Sequence, residues 1–409
     1  MINRRRMLTT TLGATTALAT GFSFTARAAD PVQIALIAPL SGAWARQGEL
    51  MKIGAELAVK DINAAGGIKS LGGAPIELVI IDAGDSTEKA KNAAQRMVSE
   101  YPKLVGATGA WLSSFTLSIS EVTERAGLPM LTVSYADQIT SRGFKYIFQT
   151  SPTASRMVSD AMPSLMELAT KATGAQPKSA GMIFDNTASV VPFAAAMRDK
   201  MLPSLGIQIK FDETFTPPLA DATSMVQKAR STRPDFMLMA ASNVPDAKLL
   251  LEKFNEFGLN GRLPVVSNGA AMGAPALLKN VGADLLENLF TIVANWGKKG
   301  QEDLVARFKQ ETGEPWMTQD SISTYGDLQL FAYALEKAGK ADKEAVAEVI
   351  RNVDLTDGPA SYYSGTRLKF DENGRNEGAK LVVVQWQGGE PKAVFPHESA
   401  VADAVWHKQ

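Results

Sequence analysis

The chain has 409 residues, room for two domains of ordinary size, with 45% hydrophobic residues, 21% charged residues and a formal net charge of −1. That is the profile of a soluble globular protein, and with no basic block to track a phosphate backbone it argues against a nucleic-acid partner. Cysteine is absent, which removes disulfides, thiol catalysis and cysteine metal sites, and the only histidines, His397 and His407, argue against a zinc site or an ordinary serine-hydrolase triad.

Residues 1–28 read as an export signal outside the fold. Three arginines precede an uncharged run rich in Thr, Ala and Gly, and Ala26-Arg27-Ala28 supplies a small-x-small cleavage pattern. The Arg-Arg-x-Met-Leu order resembles a twin-arginine signal, and the run is too polar and too short for a membrane anchor. Cleavage removes four arginines and no acid, leaving 38 basic against 43 acidic residues, net −5. The mature protein is expected to be exported to the periplasm, where an absence of cysteine avoids oxidation.

From Val32 onward short apolar runs alternate with amphipathic stretches. Residues 34–40 (IALIAPL) predict a buried strand, followed by a helix with apolar residues from Leu50 to Ile62 at helical spacing, stopped at Gly66-Gly67. Residues 76–82 (IELVIID) predict the next strand, and Asp85 is expected to cap the helix after it, with Glu88 completing a capping box. A third strand at 104–108, a helix at 114–126 and a fourth strand at 128–134 follow. After a break near residues 150–152, strands are predicted at 180–184, 207–211, 236–240, 264–267 and 290–294, with helices at 191–205, 223–231 and 246–257 between them. Helices at 321–338 and 343–352 and a hairpin of 381–386 with 392–395 complete the chain, while FDENG at 370–374 reads as a turn rather than a calcium loop. Alternating strands and helices in two blocks predict an α/β protein of two Rossmann-like lobes with parallel sheets.

Ligands in such sheets sit beyond the carboxyl ends of the strands. The loop after the first strand offers Trp44 and Gln47. Before the helix at 114–126 stands Trp111, and Ser113 and Ser114 open it, where free N–H groups and hydroxyls favour an anion such as a carboxylate. The plainer reading makes one of these serines an N-cap. Ser134, Tyr135 and Ala136 follow the fourth strand, and Ser189, Asn243 and Asn268 sit at strand ends of the second block, where Asn and Ser are also ordinary turn residues. No dinucleotide fingerprint or Walker A sequence is present, so no cofactor is implied.

IALIAPLSGAWARQG, GAELAVKDINAAGGI, the SSFT helix start, GLPMLTVS with the downstream ITSRGF, and STYGDLQLFAYAL together make the chain resemble the leucine/isoleucine/valine-binding protein family, the type I periplasmic binding proteins of ABC importers. The resemblance covers the mature chain almost end to end. It implies two lobes joined by a three-crossover hinge, with residues 29–150 and 294–381 forming lobe I and residues 151–293 and 382–409 forming lobe II. It also implies a monomer that closes on a small carboxylate-bearing solute and delivers it to a membrane ABC permease. Ser113 matches the family serine that holds a ligand carboxylate, and Ser134 to Ala136 match the segment that binds through a backbone carbonyl and a hydroxyl, with Ala136 in place of the usual threonine. Gln47 falls where amino-acid binders often carry an aromatic, Ser189 or Val190 falls where they present a tyrosine, and Asn268-Gly269-Ala270-Ala271 stands where an acid grips the ammonium. Either the ligand lacks an α-amino group, as an aromatic or aliphatic acid does, or another acid replaces the missing one, Asp320 and Asp137 being the candidates. Trp44, Trp111 and Tyr135 can stack on a ring. Two other readings are a ligand-sensing module for a receptor partner and a secreted amidase-like enzyme with Ser113 as nucleophile.

Overall fold

The computed structural model describes residues 29–365 and 367–406. The export signal predicted for residues 1–28, and His407, lie outside the described residues. The first block folds as β1 (Val32–Ala38), α1 (Ala45–Ala64), β2 (Ile76–Asp82), α2 (Thr87–Glu100), β3 (Leu104–Gly109), α3 (Ser113–Ala126), β4 (Met130–Thr132) and β5 (Ile147–Gln149). The strands form one five-stranded sheet, all parallel, in the order β2-β1-β3-β4-β5. Every residue of β3 is buried and six of the seven in β1 are, as expected for strands covered by helices on both faces.

The second block contains α4 (Ala154–Thr173), β6 (Ser179–Asp185), α5 (Val191–Ala196), α6 (Leu202–Ser204), β7 (Gln208–Phe215), α7 (Thr223–Thr232), β8 (Phe236–Ala240), α8 (Val244–Glu256), β9 (Val265–Asn268), α9 (Pro275–Val281) and β10 (Phe290–Val293). The chain then runs through α10 (Glu302–Thr312), α11 (Gln319–Ala338), α12 (Lys343–Arg351) and the short pair β11 (Asp354–Leu355) and β12 (Leu368–Lys369), and ends in the hairpin β13 (Val382–Gln387) and β14 (Glu390–Phe395). The second sheet has seven strands in the order β14-β13-β10-β9-β8-β6-β7, parallel except for β13 and β14, which join antiparallel at one edge. Helix α11 returns to the first sheet: Ser321 Oγ donates to the Leu50 carbonyl at 2.8 Å and Thr324 Oγ1 to the Met51 carbonyl at 2.8 Å.

Four expectations need correction. Asp85 does not cap α2; Ser86 does, accepting from the Lys89 N–H at 3.2 Å, and Asp85 pairs with the Lys89 ammonium at 2.7 Å instead. The helix expected over 191–205 is interrupted by a π turn at Met197–Met201 just before Pro203, whose missing N–H and bulky ring do not fit a continuous α-helical ladder. Strand β7 runs four residues past its expected end, to Phe215. The three-residue β5, the helices α4, α9 and α10, and the pair β11 and β12 had no counterpart in the sequence reading.

Helices α1 and α11 touch backbone to backbone at Gly54, where an added Cβ would lie 2.1 Å from the Ser321 carbonyl oxygen. Gly54→Ala gains about 1 kcal/mol of helix propensity but forces apart two backbones that cannot move cheaply, a cost of about 1–3 kcal/mol or more. The overpacking term wins, so the variant is expected to unfold at lower urea concentration than the parent; an equal or higher midpoint would show that this contact does not set the spacing of the two helices.

Candidate functional site

The site is built at the carboxyl edge of the first sheet, where β3 turns into α3. Gly109, Ala110 and Trp111 all have positive φ, at 122°, 68° and 53°. Gly109 is required, because a Cβ there would sit 2.3 Å from the Ile37 carbonyl oxygen. Ala110 and Trp111 carry left-handed strain of about 1–2 kcal/mol each. The turn is held by the Ala110 N–H on the Ile37 carbonyl at 2.6 Å, by Ser134 Oγ donating to the Trp111 carbonyl at 2.8 Å, and by the Trp111 indole N–H on Asp320 Oδ1 at 2.9 Å.

Trp111 lines a small pocket between the two sheets. The first block and α11 contribute Trp111, Val133, Ser134, Tyr135 and Gln319; the second contributes Ser189, Val190, Ala241, Ser242 and Asn268 to Ala271. None of these side chains is charged. Trp111, Ser134, Tyr135, Ser189 and Asn268 are thus brought together.

Ser113 lies fully buried beside this pocket as the first residue of α3. It is not an N-cap: that position is Leu112, with no side-chain capping bond. Its N–H donates to Ser189 Oγ at 3.1 Å, and its Oγ accepts from the Ser189 hydroxyl at 3.1 Å and from the Ala136 N–H at 3.1 Å. A direct bridge therefore joins the two blocks at the N-terminus of α3. The Ser134 carbonyl is already occupied by Gln149 Nε2 at 2.7 Å and Ser151 Oγ at 2.9 Å.

Other expected site residues lie apart from the pocket wall. Ser114 is half-buried in the first turn of α3. Asn243 caps α8, accepting from the Asp246 N–H at 2.8 Å, so its amide is spent on the helix. Asp137 accepts from the Ser155 N–H at 3.3 Å and the Ser155 hydroxyl at 2.5 Å, at the start of α4. Trp44 packs edge-on against Phe115 at 5.9 Å, and Gln47 is fully buried on α1. Asp320 stands behind Trp111 rather than in the wall, and burial pushes its carboxyl up from the ordinary 3.8 to about 7, against the opposing bonds from Trp111 and Gln319 and the charge of Arg46.

Sequence reasoning missed Gln319. Its Oε1 accepts from the Tyr135 hydroxyl at 2.5 Å and from the Ala294 N–H at 3.0 Å, and its Nε2 reaches Asp320 Oδ1 at 3.5 Å. Being adjacent to Asp320, a polar residue opening a helix buried on nearly all sides, is the signal that could have found it. Asp185 was also overlooked as an organiser. It is buried behind Ser242, accepting from the Ser242 N–H at 2.6 Å and hydroxyl and from the Thr187 N–H at 2.9 Å and hydroxyl at 2.6 Å. Desolvation raises its pKa while these bonds oppose the rise.

A family model described as periplasmic binding protein matches residues 31–390. Leu/Ile/Val-binding protein homolog 8 of Brucella melitensis is 29% identical over 399 residues, covering 94% of this chain and 95% of that protein. Among solved structures, the branched-chain amino acid transporter substrate-binding protein LivJ of Streptococcus pneumoniae in complex with isoleucine aligns with a TM-score of 0.75 at 19% identity, over 90% of this chain and 100% of that one. A solute-binding protein of R. palustris in complex with benzoate aligns with a TM-score of 0.76 at 16% identity, over 93% of this chain and 100% of that one. The two structural likenesses bear on the fold, which is that of type I periplasmic binding proteins.

The second fully buried acid near the first sheet is Asp327, bound by the Thr108 and Tyr363 hydroxyls and pushed by burial to about 7. Both Asp320 and Asp327 hold their protons more tightly folded than unfolded, so the folded state binds more protons between pH 4 and 7 and stability falls as pH rises through that window. Asp320→Asn and Asp327→Asn should each flatten part of that decline, on the order of 2–4 kcal/mol between pH 4 and 8. Urea unfolding across pH checks this, and slopes identical to the parent in both variants would contradict it.

Proposed function

The chain belongs to the periplasmic binding protein family, and on that premise we propose that it is the periplasmic solute-binding component of an ABC importer, taking a small organic acid that carries no α-amino group. The lobes are assigned as residues 29–150 with 294–381 and residues 151–293 with 382–409. The protein works as a monomer, closing by a hinge and delivering its ligand to a membrane permease.

One observation carries the choice of ligand: no side chain lining the pocket is charged. A carboxylate finds neutral donors at the N-terminus of α3, where the Ser113 N–H and hydroxyl face Ser189. An ammonium finds no carboxylate in the wall, and burying it unpaired costs several kcal/mol. Trp111 and Tyr135 supply ring faces for an aromatic or aliphatic acid. The reading of Ser113 as a nucleophile loses support, because its hydroxyl bonds a serine and a backbone N–H rather than a base. Closure follows from differential affinity: a ligand that touches both lobes favours the form in which they meet.

A thermal-shift screen on ligand-stripped mature protein tests the ligand class. A solute at about 100 times its Kd adds about 2.7 kcal/mol of stability. Deaminated acids, aromatic and branched aliphatic, are expected to raise the melting temperature where the matching amino acids do not. If the amino acids win, the proposal is wrong and an acid such as Asp320 has taken the ammonium. With a ligand in hand, Ser113→Ala should weaken binding by about 1–3 kcal/mol, the worth of a hydrogen bond to a charged group. Calorimetric titration reads this, and an unchanged Kd would remove Ser113 from the site.

A further inference from the structure

Buried polar groups are almost always paired, and each exception costs about 1–3 kcal/mol. Among the described residues six buried side-chain atoms have no partner. Five of them belong to four residues: Trp44 Nε1, Gln47 Oε1 and Nε2, Thr318 Oγ1 and Asp320 Oδ2, the last on a carboxyl that bonds the indole of the pocket-lining Trp111. Gln47, Thr318 and Asp320 are fully buried.

These residues meet where three helices begin. Ser321 bonds the Leu50 carbonyl, so the N-terminal turns of α1 and α11 lie side by side, with Gln47 one turn before Leu50 and with Thr318 and Asp320 just before Ser321. Trp44 precedes α1 and packs on Phe115 of α3. Trp111 ties the cluster to the pocket, lining the one and bonding Asp320 in the other. An orphaned group here and there is waste; five in one place call for a partner from outside the chain.

The composition of the orphans says what that partner carries. Trp44 Nε1 and Gln47 Nε2 only donate, Gln47 Oε1 only accepts, Asp320 Oδ2 accepts when ionised and donates when protonated, and Thr318 Oγ1 does both. A second carboxylate would face Asp320. An ammonium would leave both donors unmet. A hydroxyl donates and accepts at once, and two neighbouring hydroxyls serve most of the set.

We propose that Trp44, Gln47, Thr318 and Asp320 form a second polar seat of the binding site, which takes a hydroxyl or a pair of hydroxyls borne by the ligand at the end away from its carboxylate. The class of solute is thus a hydroxylated organic acid. This rests on the reading of the pocket as a carboxylate site, and the test separates the two.

Calorimetric titrations of ligand-stripped protein would compare benzoate with 3,4-dihydroxybenzoate and hexanoate with 6-hydroxyhexanoate. In at least one pair the hydroxylated acid is expected to bind ten times more tightly or better. Gln47→Leu and Thr318→Val, made separately, should bring that ratio close to one, while Ser113→Ala weakens both members of the pair and keeps the ratio. Ratios near one in the parent protein for both pairs mean that the cluster holds water only and overturn the seat, as does a ratio that survives in both variants. If none of the four acids binds, the carboxylate reading has failed, and catechol against toluene decides the seat alone: tighter binding of catechol that Gln47→Leu abolishes upholds it, and equal binding overturns it.

Discussion

The site depends on three successive left-handed residues, Gly109 to Trp111, at the end of β3. A β-strand that enters its helix without them would carry the tryptophan ring elsewhere and start the helix in another direction. Two of the three carry a Cβ, so the turn holds about 2–4 kcal/mol of strain in all. It survives because its surroundings over-determine it: an N–H on the Ile37 carbonyl, a serine hydroxyl on the Trp111 carbonyl and a carboxylate on the indole. From this turn follow the ring in the pocket wall, the first N–H of α3 donating to Ser189 of the second block, and the contact of Trp111 with α11, which arrives from a distant part of the sequence.

One acid stands behind the wall of the pocket beside each sheet. Asp185 is saturated by Ser242 and Thr187 and orders the loops that present Ser189 and Ser242. Asp320 has one oxygen bonded to the indole and one unmet. Neither is among the residues lining the pocket, so the field at the start of α3 comes from dipoles: the helix start, backbone N–H groups and hydroxyls. Such a field stabilises an anion and offers nothing comparable to a cation.

Much of this was legible in the sequence. Continuous apolar runs such as VQIALIA and FMLMA mark strands buried on both faces, and the alternation with helices gives parallel sheets. Ser113 could be singled out because strand-end hydroxyls at a helix start have a defined chemistry. The pocket wall could not be read in full, because Val133, Val190, Ala241 and the 269–271 backbone carry no chemical signature; only the crossing of two lobes makes them neighbours. Asp320 was visible as an acid. Its place behind Trp111 depends on φ at residues 110 and 111, which no local pattern specifies for Ala and Trp. Asp85 lost its expected cap to Ser86 because the two sit side by side, and the pairing of Asp85 with Lys89 four residues on decided between them.

The bridge between Ser113 and Ser189 has a consequence for selectivity. A carboxylate that takes the Ser113 N–H must displace the Ser189 hydroxyl from it, so binding exchanges one acceptor for another. A neutral hydrogen bond is worth about 0.5–1.5 kcal/mol net and a charged one about 1.5–3, so the exchange gains about 1 kcal/mol. That is enough to choose an anion over its amide or ester, and too little to hold it. Affinity has to come from apolar area against Trp111, Val133, Val190 and Ala241, and from groups that have no partner until a ligand arrives. Gln319 links this wall to the second sheet, since the amide oxygen that accepts from Tyr135 also accepts from the Ala294 N–H, where the chain leaves β10. A ligand that presses on Tyr135 would therefore press on the Ala294 backbone, so the pocket wall shares its hydrogen bonds with the segment that leaves the second sheet.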